Sequence, residues 1–314
     1  LLLDLAWGDP PNLFHPVVLM GHWLKKGRNF SPARYRFLFG AAWILAGLAL
    51  SIAILAGACI RVLRLSRIQK MNTTRPRRNL WTVSGLVASV ILIAGLWLDG
   101  SAWDDVVPEL EKLGHRGIPV TLPGQGDGAT TATYDDQAGA VLAAVDSAEG
   151  RPLVVGHSAA STLAWVAADR RPDAVSGVVL IGGFPTTDGG SYADFFETDG
   201  DAVAFPGWEP FAGPDSDDMS PELKAEVAAG AHPVPVGVTK GTVRWSDERR
   251  HGVPLTLICP EFTPAQAQEW IDAGDVPELA DATALELVDL DSGHWPMFTQ
   301  ADALAALLDE ATRR

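Results

Sequence analysis

Residues 156–161 read Gly-His-Ser-Ala-Ala-Ser and follow directly on the apolar run Pro152-Leu153-Val154-Val155. A helix-like stretch, 162–169, comes next. A strand that turns sharply at a serine and enters a helix is a nucleophile elbow. Such a turn holds the Ser158 hydroxyl clear of the sheet and aims the N–H groups of the following helix at any oxyanion formed there. The usual pattern is G-x-S-x-G, and here Ala160 stands in the last position. A second group, Asp291-Ser292-Gly293-His294-Trp295-Pro296, follows a strand-like segment, 284–290, and precedes a final helix, 300–312. A histidine in that loop can act as the general base for Ser158.

A carboxylate must orient that imidazole and stabilise its protonated form. Residues 253–258 read as a buried, β-branched strand ending in Cys259-Pro260-Glu261-Phe262, which makes Glu261 the expected acid. Asp188, beyond the strand 178–182, and Asp291, three residues before the histidine, are the alternatives. Asp291 is too close along the chain to reach the far side of the ring. The order serine, acid, histidine is that of the hydrolases with a nucleophile elbow.

The oxyanion hole needs a second N–H, from the loop after an earlier strand. Residues 87–93 form a continuous apolar run, followed by Ala94-Gly95-Leu96-Trp97-Leu98-Asp99-Gly100. That loop opens a helix, 104–113, and then come a short strand, 118–122, and the glycine-rich turn Pro123-Gly124-Gln125-Gly126-Asp127-Gly128. With these pieces in sequence, residues 80–314 resemble a small α/β-hydrolase of the esterase, lactonase and haloperoxidase-like kind. The resemblance implies an α/β fold, a mostly parallel sheet flanked by helices with a small cap. It also implies that Ala94-Gly95-Leu96 stands where the family has its His-Gly-x oxyanion loop, with Leu96 and Ala159 supplying the donor amides.

About seventy residues, 184–250, separate two of the strands and occupy the position of a cap over the site. Their Phe195, Phe196, Phe205, Trp208, Phe211 and Trp245 are expected to form the cap's own core. Trp97 and Trp295, each directly after a catalytic loop residue, are the expected walls of a mostly apolar substrate pocket. The serine nucleophile, in place of an aspartate, argues against dehalogenase or epoxide-hydrolase chemistry.

Charge divides the chain in two. Residues 1–78 carry twelve Lys/Arg against two acids, and residues 79–314 carry twelve against thirty-seven, balances of +10 and −25 that sum to −15. The acidic part has too few cations clustered for phosphate contacts, so no nucleic acid is expected as a partner. Residues 37–60 are twenty-four residues without a charge, longer than the ~20 needed to span a bilayer. They predict a transmembrane helix within a membrane-associated segment, 1–65, joined by a basic linker, 66–79, to the domain at 80–314. Five Lys/Arg precede the span and seven follow it, which places the C-terminal domain on the cytoplasmic side. Without that segment the domain would be a soluble cytoplasmic protein. A second apolar stretch, 80–98, is read as the first central strand and its loop, since Val87, Val90, Ile91 and Ile93 suit a buried parallel sheet.

The N-terminal residues carry a resemblance of their own. Leu3-Asp4-Leu5, Gly8-Asp9-Pro10-Pro11, His15-Pro16-Val17 and Met20-Gly21 look like the start of adenosylcobinamide-phosphate synthase, a multi-span membrane protein of cobalamin biosynthesis. The match ends near residue 65. Two cysteines, Cys59 and Cys259, lie far apart and without metal-ligand spacing, so no disulfide framework and no metal site are expected. No cofactor motif is present.

The expected function is therefore hydrolysis of a small ester through an acyl-enzyme, with Ser158, His294 and Glu261 as the triad. The alternatives are a truncated cobalamin-biosynthesis segment fused to a hydrolase, and a non-catalytic α/β-hydrolase-fold binding protein.

Overall fold

A computed structural model describes residues 88–314. The expected membrane-associated segment 1–65, its predicted transmembrane helix 37–60 and the expected linker 66–79 lie outside the described residues, as does the cobalamin-synthase resemblance. Among the described residues no helix is long and apolar enough to cross a membrane.

Six strands build the sheet: β1 (Ser89–Ile93), β2 (Arg116–Val120), β3 (Leu153–His157), β4 (Gly177–Ile181), β7 (Leu255–Cys259) and β8 (Leu285–Asp289). They run in the order β2-β1-β3-β4-β7-β8, and every neighbouring pair is parallel. β1, β3, β4 and β7 are buried along their full length. Helices cover both faces, which is why these strands read as continuous apolar runs instead of alternating ones.

The two faces divide the side chains with a period of two. Ile91, Val154, Val178 and Leu257 face a layer containing Val141 and Val145 of α2 (Tyr134–Ser147) and Leu163 and Trp165 of α3 (Ala160–Arg170). Val90, Val155, Val179 and Ile258 face the other layer, with Leu110 of α1 (Val106–Lys112) and Leu304 and Leu308 of α9 (Ala301–Ala311). α6 (Pro264–Ala273) adds Ala267 and Ile271 to the first layer.

Between β4 and β7 the chain forms the cap. It contains a two-stranded antiparallel pair, β5 (Ala202–Val203) and β6 (Val234–Pro235), and the helices α4 (Pro221–Gly230) and α5 (Val236–Thr239). The last short helices, α7 (Pro277–Ala280) and α8 (Pro296–Thr299), flank β8. The sheet reverses its order at β1 and β3, β2 lying beyond β1 on one side and β4 beyond β3 on the other. Ligand sites of open α/β sheets form at the carboxyl ends of strands at such a point, and the Ala94–Gly95–Leu96 and Ser158 loops leave the sheet there.

Candidate active site

The turn after β3 is shaped by what cannot fit. A Cβ on Gly156 would stand 2.3 Å from the Ala160 carbonyl oxygen, and one on Gly183 would stand 2.3 Å from the Ser158 carbonyl oxygen. With both positions glycine, the backbone closes tightly enough to hold Ser158 at φ 55°, a left-handed conformation that costs a non-glycine residue about 1–2 kcal/mol. The Ser158 N–H donates to the Ile181 carbonyl at 2.8 Å, tying the elbow to the end of β4. α3 begins two residues later. Ala160 is fully buried and its methyl is accommodated, so the departure from the terminal glycine leaves the turn intact. Ser161 and Thr162 donate back to the Ser158 and Ala159 carbonyls, and the leading N–H groups of the helix lie ahead of them without intrahelical acceptors.

His294 sits in the loop between β8 and α8. Its Nδ1 is 2.7 Å from Glu261 Oε1, and both side chains are nearly buried. Gly182, at φ 58°, ends β4 beside this pair: a Cβ there would come within 3.1 Å of both Glu261 Oε2 and His294 Nδ1. Burial opposes charge on His294, but the Glu261 carboxylate and its hydrogen bond, joined by Asp215, outweigh it and raise the imidazole above its ordinary value. Asp188 is engaged elsewhere, accepting the Trp245 N–H at 3.0 Å, and Asp291 is exposed.

Three further contacts hold the histidine loop. The His294 N–H donates to the Asp215 carbonyl at 2.7 Å, and the Gly293 N–H to Asp218 Oδ2 at 2.8 Å. His157 Nε2 lies 2.7 Å from the His294 carbonyl oxygen. A carbonyl only accepts, so Nε2 carries the proton in that bond. Burial, and then the neighbouring His294, push the His157 imidazole well below its usual range, so the ring is neutral. Its buried Nδ1 has no hydrogen-bond partner among the described residues.

The loop after β1 packs against the elbow from the other side: a Cβ on Gly95 would be 3.0 Å from Ser158 Cβ. Trp97 adopts φ 67°, and its Nε1 donates to the Val203 carbonyl of the cap at 3.2 Å. The fully buried Gln125 braces this loop, its Nε2 donating to the Gly95 and Leu98 carbonyls at 2.9 and 2.7 Å. With those two carbonyls engaged, the intervening Leu96 peptide is fixed in orientation.

Ser158, His294, Glu261, Leu96, Trp97 and Trp295 all border one cavity, together with Phe195, Phe196, Phe211 and Asp215. Ala159 contributes no wall and opens α3 behind the serine. Three aromatics expected to serve only as cap core thus face the site, because the cap folds its rings over Trp97 and Trp295. Phe196 stands 4.9 Å from Trp97 and Phe211 5.1 Å from Trp295, both near edge-on. Gln125, Asp215 and Asp218 were not expected at the site. Gln125 lies in a turn whose glycines were visible but whose tertiary partner was not. The two aspartates lie in an acid-rich stretch where nothing local distinguishes one carboxylate from another.

The described residues resemble proteins of known kind. A segment of 108 residues is 32% identical to a pyrethroid hydrolase of Sphingobium wenxiniae, covering 33% of this chain and 38% of that protein. Matches to solved structures are longer. An extracellular α/β-hydrolase from a Paenibacillus species aligns over 72% of this chain and all of its own, at 18% identity and a TM-score of 0.59. A pyrethroid hydrolase from Sphingobium faniae covers 72% of this chain and 98% of its own, at 22% identity and a TM-score of 0.55. A polyneuridine aldehyde esterase variant covers 71% and 98%, at 15% identity and a TM-score of 0.57. At these identities the structures speak to fold alone. The alpha/beta hydrolase family model matches residues 90–307, more than half of the chain and every residue of the site, and the chain belongs to that family.

Proposed function

We propose that the chain is a serine hydrolase acting on small, largely apolar carboxylic esters through an acyl-enzyme. Ser158 Oγ attacks the ester carbonyl as His294 Nε2 takes its proton. The Leu96 and Ala159 amides stabilise the tetrahedral oxyanion, at about 3–4 kcal/mol per donor. The intermediate collapses by expelling the alcohol, which leaves with the proton held on His294. Water, deprotonated by His294, then attacks the acyl-Ser158 and releases the acid. Glu261 holds the Nδ1–H side of the ring so that Nε2 is the basic nitrogen, and stabilises the imidazolium formed in each half-reaction. The aromatic walls, Trp97 and Trp295 with Phe196 and Phe211, receive the apolar parts of the substrate.

The observation that carries this reading is the 2.7 Å Glu261–His294 contact beside a serine in strained backbone on the same cavity. The names of two similar proteins, a pyrethroid hydrolase and an aldehyde esterase, point to the same bond type. The test is labelling by a fluorophosphonate probe. The full chain is expected to label stoichiometrically and the Ser158→Ala variant not at all. Folded protein that takes no label would mean that the cavity binds without catalysing.

We read residues 37–60 as an anchor that holds this domain at a membrane, on the strength of their uncharged run of twenty-four residues.

A further inference from the structure

The Leu96 amide, one of the two donors assigned to the oxyanion, is aimed by groups that never meet the substrate. A trans peptide is planar, so its N–H and C=O point in opposite directions. The Leu96 N–H shares its plane with the Gly95 carbonyl, and whatever fixes that carbonyl also fixes the amide. Gln125 Nε2 donates to the Gly95 carbonyl at 2.9 Å and, with its second hydrogen, to the Leu98 carbonyl at 2.7 Å. The Leu98 N–H also reaches the Gly95 carbonyl, at 3.4 Å, which closes residues 95–98 into a turn.

That turn needs a brace. Trp97, its third residue, sits at φ 67°, the sign that a type II turn imposes there and that glycine normally fills. Rotating the peptide between Leu96 and Trp97 would return Trp97 to negative φ and turn the backbone towards type I. Glycine at position 95 leaves the preceding peptide free to rotate as well, having no Cβ to restrict it.

Gln125 makes both bonds only while its NH2 group faces the two carbonyls, which accept and cannot donate. Gln137, in the first turn of α2, sets that direction. Its Nε2 donates to the Pro123 carbonyl at 2.9 Å and to Gln125 Oε1 at 3.2 Å. The Pro123 carbonyl is likewise only an acceptor, so Gln137 presents its NH2 group there and holds the oxygen end of Gln125. Both glutamines are fully buried, and neither borders the cavity. Gln137 Oε1 has no hydrogen-bond partner among the described residues. A buried acceptor left unpaired costs stability, and a methionine would fill the space without that cost. The amide at position 137 thus gives direction at the expense of stability.

We propose that Gln125 and Gln137 form a two-amide relay that aims the Leu96 N–H at the developing oxyanion. Both are positioning residues, and Gln137 acts only through Gln125. The inference rests on the serine-hydrolase reading and deepens it. A donor aimed in advance at charge that develops only in the transition state raises kcat without tightening substrate binding.

The experiment compares the full chain with Gln125→Met, Gln137→Met and the double variant. It measures p-nitrophenyl butyrate hydrolysis and the inhibition constants of two ketones of one shape. With a trifluoromethyl ketone, Ser158 Oγ bonds to the carbonyl carbon, its proton passes to His294, and the carbonyl oxygen becomes an oxyanion. The matching methyl ketone binds without that addition. In Gln125→Met, kcat is expected to fall about thirtyfold, less than for a donor removed outright, with KM changed by less than about twofold. The trifluoromethyl ketone should weaken by the same factor as kcat, and the methyl ketone by less than about twofold. Gln137→Met should lose about fivefold in kcat and in trifluoromethyl ketone affinity, and the double variant should be no worse than Gln125→Met. The acid limb of kcat/KM should keep its midpoint in all three, since Glu261 and His294 are untouched.

Trifluoromethyl ketone affinity that stays within about twofold of the full chain in folded Gln125→Met overturns the inference. So does a loss shared equally by both ketones, or a double variant whose loss is the product of the single ones. Should Gln125→Met not fold, Gln137→Met decides alone, and unchanged trifluoromethyl ketone affinity there overturns the relay. A full chain that takes neither the fluorophosphonate nor the trifluoromethyl ketone removes the hydrolase reading itself, and this inference with it.

Discussion

Among the described residues only Ser158 and Trp97 are non-glycine residues with positive φ, and both border the same cavity. Backbone held in sparsely populated conformations persists only where its surroundings over-determine it, and such positions gather at functional sites. Here the surroundings can be named: Gly156 and Gly183 leave no room for a side chain beside the serine, and Gln125 and Val203 hold the tryptophan loop. The roles of the site residues make a pH-dependent prediction. In the proposed mechanism His294 must be neutral to accept the Ser158 proton, and against the opposing effect of burial Glu261 and Asp215 raise the imidazole above its ordinary value of 6.5. It is therefore charged, and idle as a base, until pH rises through that higher value. The acid limb of kcat/KM should have its midpoint above 6.5. In Glu261→Gln the largest influence, burial, is left with less opposition, so the limb should move to lower pH. kcat should fall by about three to four orders of magnitude, as when a triad loses its orienting carboxylate. A mild effect here alongside a severe one for Asp188→Asn would assign the acid wrongly. His157 is held well below its usual range by burial and by His294, and should add no second limb where His294 titrates.

At the scale of elements, the sheet was readable because its strands are buried on both faces and could be nothing but short apolar runs. The central strands lie within two residues of the segments read from sequence. β2 is shifted as a whole by two residues, running Arg116–Val120 in place of 118–122. As an edge strand it pairs only with β1, so it tolerates the polar Arg116 and the internal Pro119 that made the apolar end look like the strand. The cap was less legible. β5 and β6 have two residues each, too few for any period, whereas the final helix, read as 300–312, runs Ala301–Ala311. What holds the end of the cap is polar. Asp169 of α3 accepts the Ser246 and Asp247 N–H groups at 2.8 and 2.9 Å. Arg250 Nε donates to Glu278 Oε2 at 2.8 Å, and Trp165 Nε1 donates to the same oxygen at 2.9 Å. These residues lie far apart in the chain and only the fold makes them a unit, so no sequence pattern announced them. Replacing Arg250 by Met leaves the buried Glu278 carboxylate without its arginine partner, a loss of about 3–5 kcal/mol. Chemical denaturation should show it as a lowered midpoint, and Arg250→Met with Glu278→Leu should recover part of the loss. A change below about 1 kcal/mol in the single variant would mean the network contributes little.

For the whole molecule, the contrast is between where the chemistry lies and where the unusual composition lies. Residues 1–78 carry a balance of +10 and residues 79–314 one of −25. Every group named at the site falls between Gly95 and Trp295, and the family match begins at residue 90. Among the described residues, the strands of the six-stranded sheet pair with one another from Ser89 onward, and the Ala88 carbonyl accepts the Arg116 N–H at the start of the β1–β2 pair. The layers on both faces of that sheet are built, among the described residues, by side chains from Val90 onward. A chain of residues 71–314 should consequently fold and keep the fluorophosphonate reactivity of the full protein at Ser158, with a second-order labelling rate within about twofold. The full chain is expected to partition into vesicles through its charge-free run of twenty-four residues, and the truncated chain to lose that partition. Labelling that survives while vesicle binding disappears would separate anchor from enzyme. A truncated chain that aggregates or fails to label, beside an active full-length protein, would show instead that the N-terminal residues complete the hydrolase core and that the membrane segment is part of the enzyme.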